Sequence, residues 1–168
     1  MANAYEPSFE ESSEQPGFRW QRAPLGRQAG AEKLGASLFA LPPGEALFPL
    51  HYHLGNEEMV IAIAGAPSLR TSEGERVLEP GELVSFPRGE AGAHQIINRS
   101  EAEARVLLIS EMNAPEVVIR PESGKLSAFG RPPGGRGEGI HRVFHERDEA
   151  SFWDGEDPPP PPKAPEAR

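Results

Sequence analysis

The chain has 168 residues, no cysteine and a formal net charge of -9. That length suits one domain with its own core. The acidic balance disfavours nucleic acid and anionic membranes as partners, and the missing thiols exclude disulfides, thiolate zinc sites and cysteine nucleophiles. Hydrophobic residues make up 37%, with the deficit at the two ends, and 19 prolines and 18 glycines favour short segments joined by turns. An all-β sandwich or barrel is the architecture this predicts.

Residues 1–30 read as an N-terminal arm. Up to about residue 17 it is polar and acidic, with Glu6, Glu10, Glu11 and Glu14 among Ser, Pro and Gly, and it is expected to be flexible. Phe18, Trp20 and Leu25 would dock it on the barrel or on a second subunit. Residues 1–6 lack the basic start and apolar core of a secretory signal. No apolar run approaches the roughly 20 residues that span a bilayer, so a cytoplasmic protein is expected.

Residues 34–41 predict a first strand, and Pro42-Pro43-Gly44 a turn. Residues 47–53 predict the next strand, in which His51 and His53 share a face. Leu54-Gly55-Asn56 turns the chain into an apolar strand at 57–64. There Glu58, Val60, Ala62 and Ala64 face one way and Met59, Ile61 and Ile63 the other, as in a strand buried on both sides. A carboxylate leading such a strand needs a partner. A hairpin is expected around Ser72-Glu73-Gly74-Glu75, with flanks at 68–71 and 76–78. Strands follow at 82–86, at 94–98 with His94, Ile96 and Asn98 on one face, and at 105–110, with an edge strand at 116–120.

Residues 31–120 thus read as the barrel. Residues 121–157 read as loops packing back on it through Arg142-Val143-Phe144 and Phe152-Trp153, with a mobile loop at 131–137. Residues 158–168 open with five consecutive prolines and predict an extended, polyproline II-like tail. His141 and His145, four apart, read as a solvated pair on a helix face.

Three of the five histidines lie in a punctuated stretch from Gly44 to Asn98. It reads Gly44, six residues, His51-Tyr52-His53, four residues, Glu58, six residues, Gly65. It continues as Gly81, five residues, Pro87-Arg88-Gly89, four residues, His94, three residues, Asn98. This pair of motifs resembles the two motifs of the cupin superfamily. The Gly44–His51 spacing is one residue longer than the family pattern and the Gly89–His94 spacing two residues longer, both in turns or loops that tolerate insertion.

The resemblance implies an all-β fold: an antiparallel jelly-roll barrel of at least six strands, here with polar, flexible N- and C-terminal extensions. It implies a divalent transition metal (iron, manganese, nickel, zinc or copper) held by His51, His53, Glu58 and His94 in the barrel mouth, and it suggests a homodimer. The donor chemistry agrees, since three imidazoles and a carboxylate form a nitrogen–oxygen site suited to those metals. Four protein ligands leave one or two positions for water or substrate. Glu57 competes with Glu58 as the carboxylate, and the spacing to Gly65 favours Glu58. Arg88 reads as solvated, with contact to an anionic substrate as the alternative, and Phe48, Tyr52 and Phe86 as core or interface residues. No catalytic acid or base stands out. The expected function is that of a metal-dependent enzyme on a small organic molecule, of dioxygenase, isomerase or decarboxylase type. A non-catalytic module binding a sugar or effector is the alternative.

Overall fold

The computed structural model describes residues 2–130, 132 and 139–158. Most of the loop expected at 131–137 and of the tail expected at 158–168 therefore lies outside the described residues. Strands dominate: β1 (Glu11–Gln15), β2 (Phe18–Ala23), β3 (Leu34–Leu41), β4 (Tyr52–His53), β5 (Glu58–Ala64), β6 (Ser68–Thr71) and β7 (Gly74–Val77), then β8 (Leu83–Phe86), β9 (Gln95–Ile97), β10 (Ala104–Glu111), β11 (Glu116–Arg120), β12 (Lys125–Phe129) and β13 (His141–His145). Among the described residues the one α-helix, α1 (Leu25–Gln28), is a single turn between β2 and β3.

Six strands form one antiparallel sheet in the order β1-β2-β3-β10-β5-β8. The other strands form β13-β12-β11-β4 and β7-β6-β9. Two isolated bridges, Ala46↔Ile97 and His51↔His94, join these smaller sheets into a second face. The result is a jelly-roll sandwich whose ladder does not close into a complete barrel.

The core lies between the faces. Phe39 and Leu41 on β3, Val60 and Ala62 on β5, and Val106 and Leu108 on β10 meet Leu69 and Ile96 from the opposite side. Alternation along β5 sends Val60 and Ala62 inward, each fully buried, and leaves Met59, Ile61 and Ile63 half-buried outside. Full burial of a side chain such as Val60 is worth roughly 1.5–3 kcal/mol.

The outer face of the large sheet is also covered. Ala23, Leu25 and Leu38 pack there beneath Ala2, Ala4 and Phe9. The segment expected to be flexible therefore contains a strand of the large sheet, with β1 pairing β2 and β2 pairing β3. The physical reason is lateral: Arg22 reaches Glu11 at 2.8 Å, and Arg27 reaches Glu10 at 2.6 Å. Trp20 packs edge-on against Phe39 at 5.3 Å and Phe48 at 5.8 Å. Of the two docking options for these aromatics, the structure has Trp20 on the sandwich.

The strand expected at 47–53 is shorter than its sequence suggests. Only Tyr52–His53 is a strand, and residues 47–50 bend away between the two isolated bridges. Pro49 lacks the N–H a ladder needs, and its carbonyl is instead 2.9 Å from His51 Nδ1. Beyond β11 the second face gains β12 and β13, where the sequence suggested loops. Val143 and Phe144 are 54% and 49% exposed, and Phe152 and Trp153 84% and 74% exposed, so they do not pack back onto the sandwich as expected. His141 and His145 lie on a strand instead of a helix, with His141 stacked on Phe129 at 4.4 Å.

Asn98, fully buried, closes a turn at the end of the second motif. Its Nδ2 donates to the Leu41 carbonyl at 2.9 Å and the Ala102 carbonyl at 2.8 Å, while Oδ1 accepts from Ser100 N at 3.1 Å. Asn98→Ala strands the carbonyl of the buried Leu41 and removes the bonds to Ala102 and Ser100, at about 1–3 kcal/mol for a buried group left unpaired. A loss of about 2 kcal/mol in urea unfolding is expected, and an unchanged midpoint would contradict this role.

Candidate functional site

The site is assembled by strand geometry. His51 and His53 flank Tyr52, so the two rings project to one side, with centroids 5.1 Å apart. The paired backbones of residues 51 and 94 hydrogen-bond in both directions, at 3.2 and 2.9 Å, and set the His51 and His94 rings 4.7 Å apart. The β4–β5 turn then returns Glu58 beneath them. Its Oε2 is 3.4 Å from His53 Nε2 and 3.3 Å from His94 Nε2. Ligand atoms of His51, His53 and Glu58 all lie within 4.8 Å of one another. All four residues expected at the site thus come together, and Glu58, not the exposed Glu57, supplies the carboxylate.

Each ring is held. The Nδ1 atoms of His51 and His94 sit 2.9 Å from the carbonyls of Pro49 and Gly92, which suits a proton on Nδ1 and a free lone pair on Nε2. Phe86 stacks on the His94 ring at 3.8 Å and 7°. Of the core and interface roles expected for Phe86, the structure shows the core one, and the same ring also stacks on a site imidazole. Glycine at 65 has its reason in backbone shape, with φ +74° and Glu103 O only 2.6 Å from where a Cβ would stand.

Electrostatics separate the rings. Burial, aided by the neighbouring His94, pushes His51 down to about 3, with Glu58 opposing. Burial also opposes a charge on His53, but the carboxylates of Glu116 and Glu58 outweigh it and push His53 up to about 9. Burial opposes ionisation of Glu58, yet His53 and His94 hold its carboxyl well below the usual carboxylate range. A folded-state value raised above 6.5 stabilises the fold fully below 6.5 and loses that contribution as pH rises through 9. In the presence of chelator, stability is therefore expected to fall by on the order of 3 kcal/mol between pH 6.5 and 9.5. Unfolding curves across that range check this, and His53→Ala should flatten the slope.

The cluster lines a cavity of about 510 Å³ walled by Trp20, Phe39, Phe48 and Leu108, with Arg22, Ser37 and Ser110 as polar groups. Arg22 is fixed by Ser37 at 3.0 Å and Glu11 at 2.8 Å. Arg88 is tied to Glu111 on the surface, the solvated role expected of it. Arg22 escaped sequence reasoning because β2 lies in a segment read as an arm, and Ser37, although on the expected strand at 34–41, carried no signal of its own within that apolar run. Glu116 escaped it too. It leads the apolar run Glu-Val-Val-Ile and is 1% exposed, so the argument that marked Glu58 would have marked it as well.

The donor set fits a transition metal on the structure's own terms. His53 Nδ1, His53 Nε2 and Glu58 Oε2 are buried without hydrogen-bond partners, a costly arrangement that a cation at the Nε2 and Oε2 atoms would relieve.

Residues 37–110 match the family described as the cupin domain. No curated protein sequence matches the chain significantly. Among solved structures, a candidate sugar phosphate isomerase from Acidithiobacillus ferrooxidans is 26% identical, with a TM-score of 0.69 over 82% of this chain and 83% of that one. A sugar phosphate isomerase of the cupin superfamily from Silicibacter pomeroyi is 22% identical, with a TM-score of 0.74 over 92% of this chain and 98% of that one. The polyketide cyclase RemF from Streptomyces resistomycificus is 21% identical, with a TM-score of 0.55 over 69% of this chain and 82% of that one. The last two likenesses are likenesses of fold, and the different chemistries named show how little the fold constrains the reaction. Among the described residues no helix is long and apolar enough to cross a membrane.

Proposed function

We propose that this chain, whose residues 37–110 match the cupin domain, is a cupin and a divalent-metal-dependent enzyme acting on a small, oxygen-rich organic molecule, with isomerisation of a sugar phosphate as the reaction class. The observation that carries the reading is the buried His53–Glu58 pair without hydrogen-bond partners, in a cluster that lines a cavity of about 510 Å³. Its size and its mixed apolar and polar walls suit a small organic ligand. The 26%-identical neighbour favours isomerisation over the dioxygenase and decarboxylase alternatives.

In this reading His51, His53, Glu58 and His94 hold the metal. The ion would supply a Lewis acid toward the substrate's hydroxyl and carbonyl oxygens. Arg22, fixed by Ser37 and Glu11, offers the cavity a positioned guanidinium for an anionic group on the substrate. Trp20, Phe39 and Phe48 exclude water from one side. The reading includes a cytoplasmic location and a homodimer, for which the half-buried Met59 and Ile61 on the outer side of β5 offer apolar surface.

The test is turnover. Metal-loaded protein is incubated with a panel of aldose and ketose phosphates, and the products are followed by NMR. Interconversion that His51→Ala abolishes supports the reading. Saturable binding with no product across the panel would overturn it in favour of a non-catalytic binding module.

A further inference from the structure

The three site imidazoles need three acceptors for the ring nitrogens that face away from Glu58. Two have a neutral one, the carbonyl of Pro49 for His51 and the carbonyl of Gly92 for His94. His53 has none. Its Nδ1 instead faces Glu116 Oε2, 3.6 Å away, across from the strand-to-strand pairing of His53 with Val118.

Glu116 is built in. Its side chain is fully buried. Its Oε1 accepts from the Gly55 N–H at 3.0 Å, and its Oε2 accepts from Asn56 Nδ2. Asn56 is itself 1% exposed and is clamped by Asn113, whose backbone N–H donates to Asn56 Oδ1 at 2.7 Å. The β4–β5 turn that places Glu58 therefore also grips Glu116 from the far side of His53. A buried carboxylate held this way faces a ring nitrogen without a hydrogen-bond partner, and that pairing calls for a function.

We infer that Glu116 is a positioning residue for the metal site: it accepts the Nδ1–H of His53, so that Nε2 is the nitrogen presented beside Glu58. The inference rests on the metal reading above. Its chemistry is that of a carboxylate behind a ligating histidine, which fixes tautomer and ring orientation and raises the ring's donor strength. Of the three rings, His53 alone has an anionic acceptor facing its Nδ1, and so it is the strongest donor of the set.

The test uses the full chain stripped of metal and titrated with Zn²⁺ in competition with a chelating dye. Wild type is compared with Glu116→Gln and with Asn98→Ala, a destabilised control whose side chain bonds to Leu41, Ala102 and Ser100 and to none of the ligands. The inference expects Glu116→Gln to bind zinc about 10- to 100-fold more weakly, with Asn98→Ala close to wild type. Equal affinity for Glu116→Gln and wild type overturns the inference and leaves the metal reading standing. If wild type itself takes up no zinc, both fall. Should Glu116→Gln not fold, nitrogen NMR of zinc-loaded wild type decides. A protonated Nδ1 on His53 protected from solvent exchange supports the role, and coordination through Nδ1 or a freely exchanging proton there overturns it.

Discussion

Glu58→Gln is expected to lower metal affinity by on the order of 100-fold or more, a larger loss than removal of a group behind a ligand brings. The carboxylate contacts two imidazole Nε2 atoms, at 3.4 and 3.3 Å, and carries the site's negative charge at the point where those nitrogens converge. An amide keeps the shape and forfeits the charge. The substitution also acts on the metal-free protein, and there its sign depends on pH. Near pH 6.5 His53 is protonated, because its value is raised to about 9, and losing Glu58 removes one of its two counter-charges. Breaking a buried pair from one side costs about 3 kcal/mol. Above pH 9 His53 has shed its proton, and the wild type holds a buried carboxylate with little to compensate it, so the variant should equal or exceed it in stability. Denaturant unfolding in chelator at pH 6.5 and 9.5 measures both arms. A cost that does not change with pH would mean that His53 and Glu58 are not coupled.

The second large effect is expected from a methyl group. In Gly92→Ala the new Cβ would stand 1.8 Å from the Pro87 carbonyl oxygen and 3.2 Å from the Phe86 carbonyl carbon. Both obstacles are backbone, so the loop at 87–93 must move. The same loop supplies the Gly92 carbonyl that fixes His94 Nδ1 and follows Phe86, the ring stacked on His94. The variant is expected to lose about 3 kcal/mol of stability and to weaken metal binding with it, because His94 loses its anchor. Thermal unfolding and zinc titration of the same preparation check the pair. Lost stability with unaltered zinc affinity would separate the loop from the site.

Three of the site residues were legible because local rules place them: strand parity carries His51 and His53 to one side, and a short turn returns Glu58. His94 was expected from the motif resemblance alone, and in the structure it arrives by the long-range bridge to residue 51. The same rules miss what arrives from far away in the chain. Glu116 reaches His53 by pairing of β11 with β4, and only its position at the head of an apolar run hinted that it was buried. Arg22 belongs to a hairpin whose first strand, Glu-Ser-Ser-Glu-Gln, has no apolar alternation to reveal it. That strand is held by ion pairs across the sheet and by docking of Trp20, neither of which shows as periodicity. The shortened strand before His53 has the opposite cause. The apolar run was visible, but Pro49 denies the ladder an N–H and gives its carbonyl to a site ring.

The account turns on whether the four-residue cluster is a metal site. Elemental analysis of protein purified without added metal or chelator, beside a His51→Ala/His94→Ala variant, addresses this directly. The account predicts near-stoichiometric iron, manganese, nickel, copper or zinc in the wild type and none in the variant. If neither protein holds metal, and none of these ions binds when added to the wild type, the metal centre and the enzyme reading built on it are contradicted.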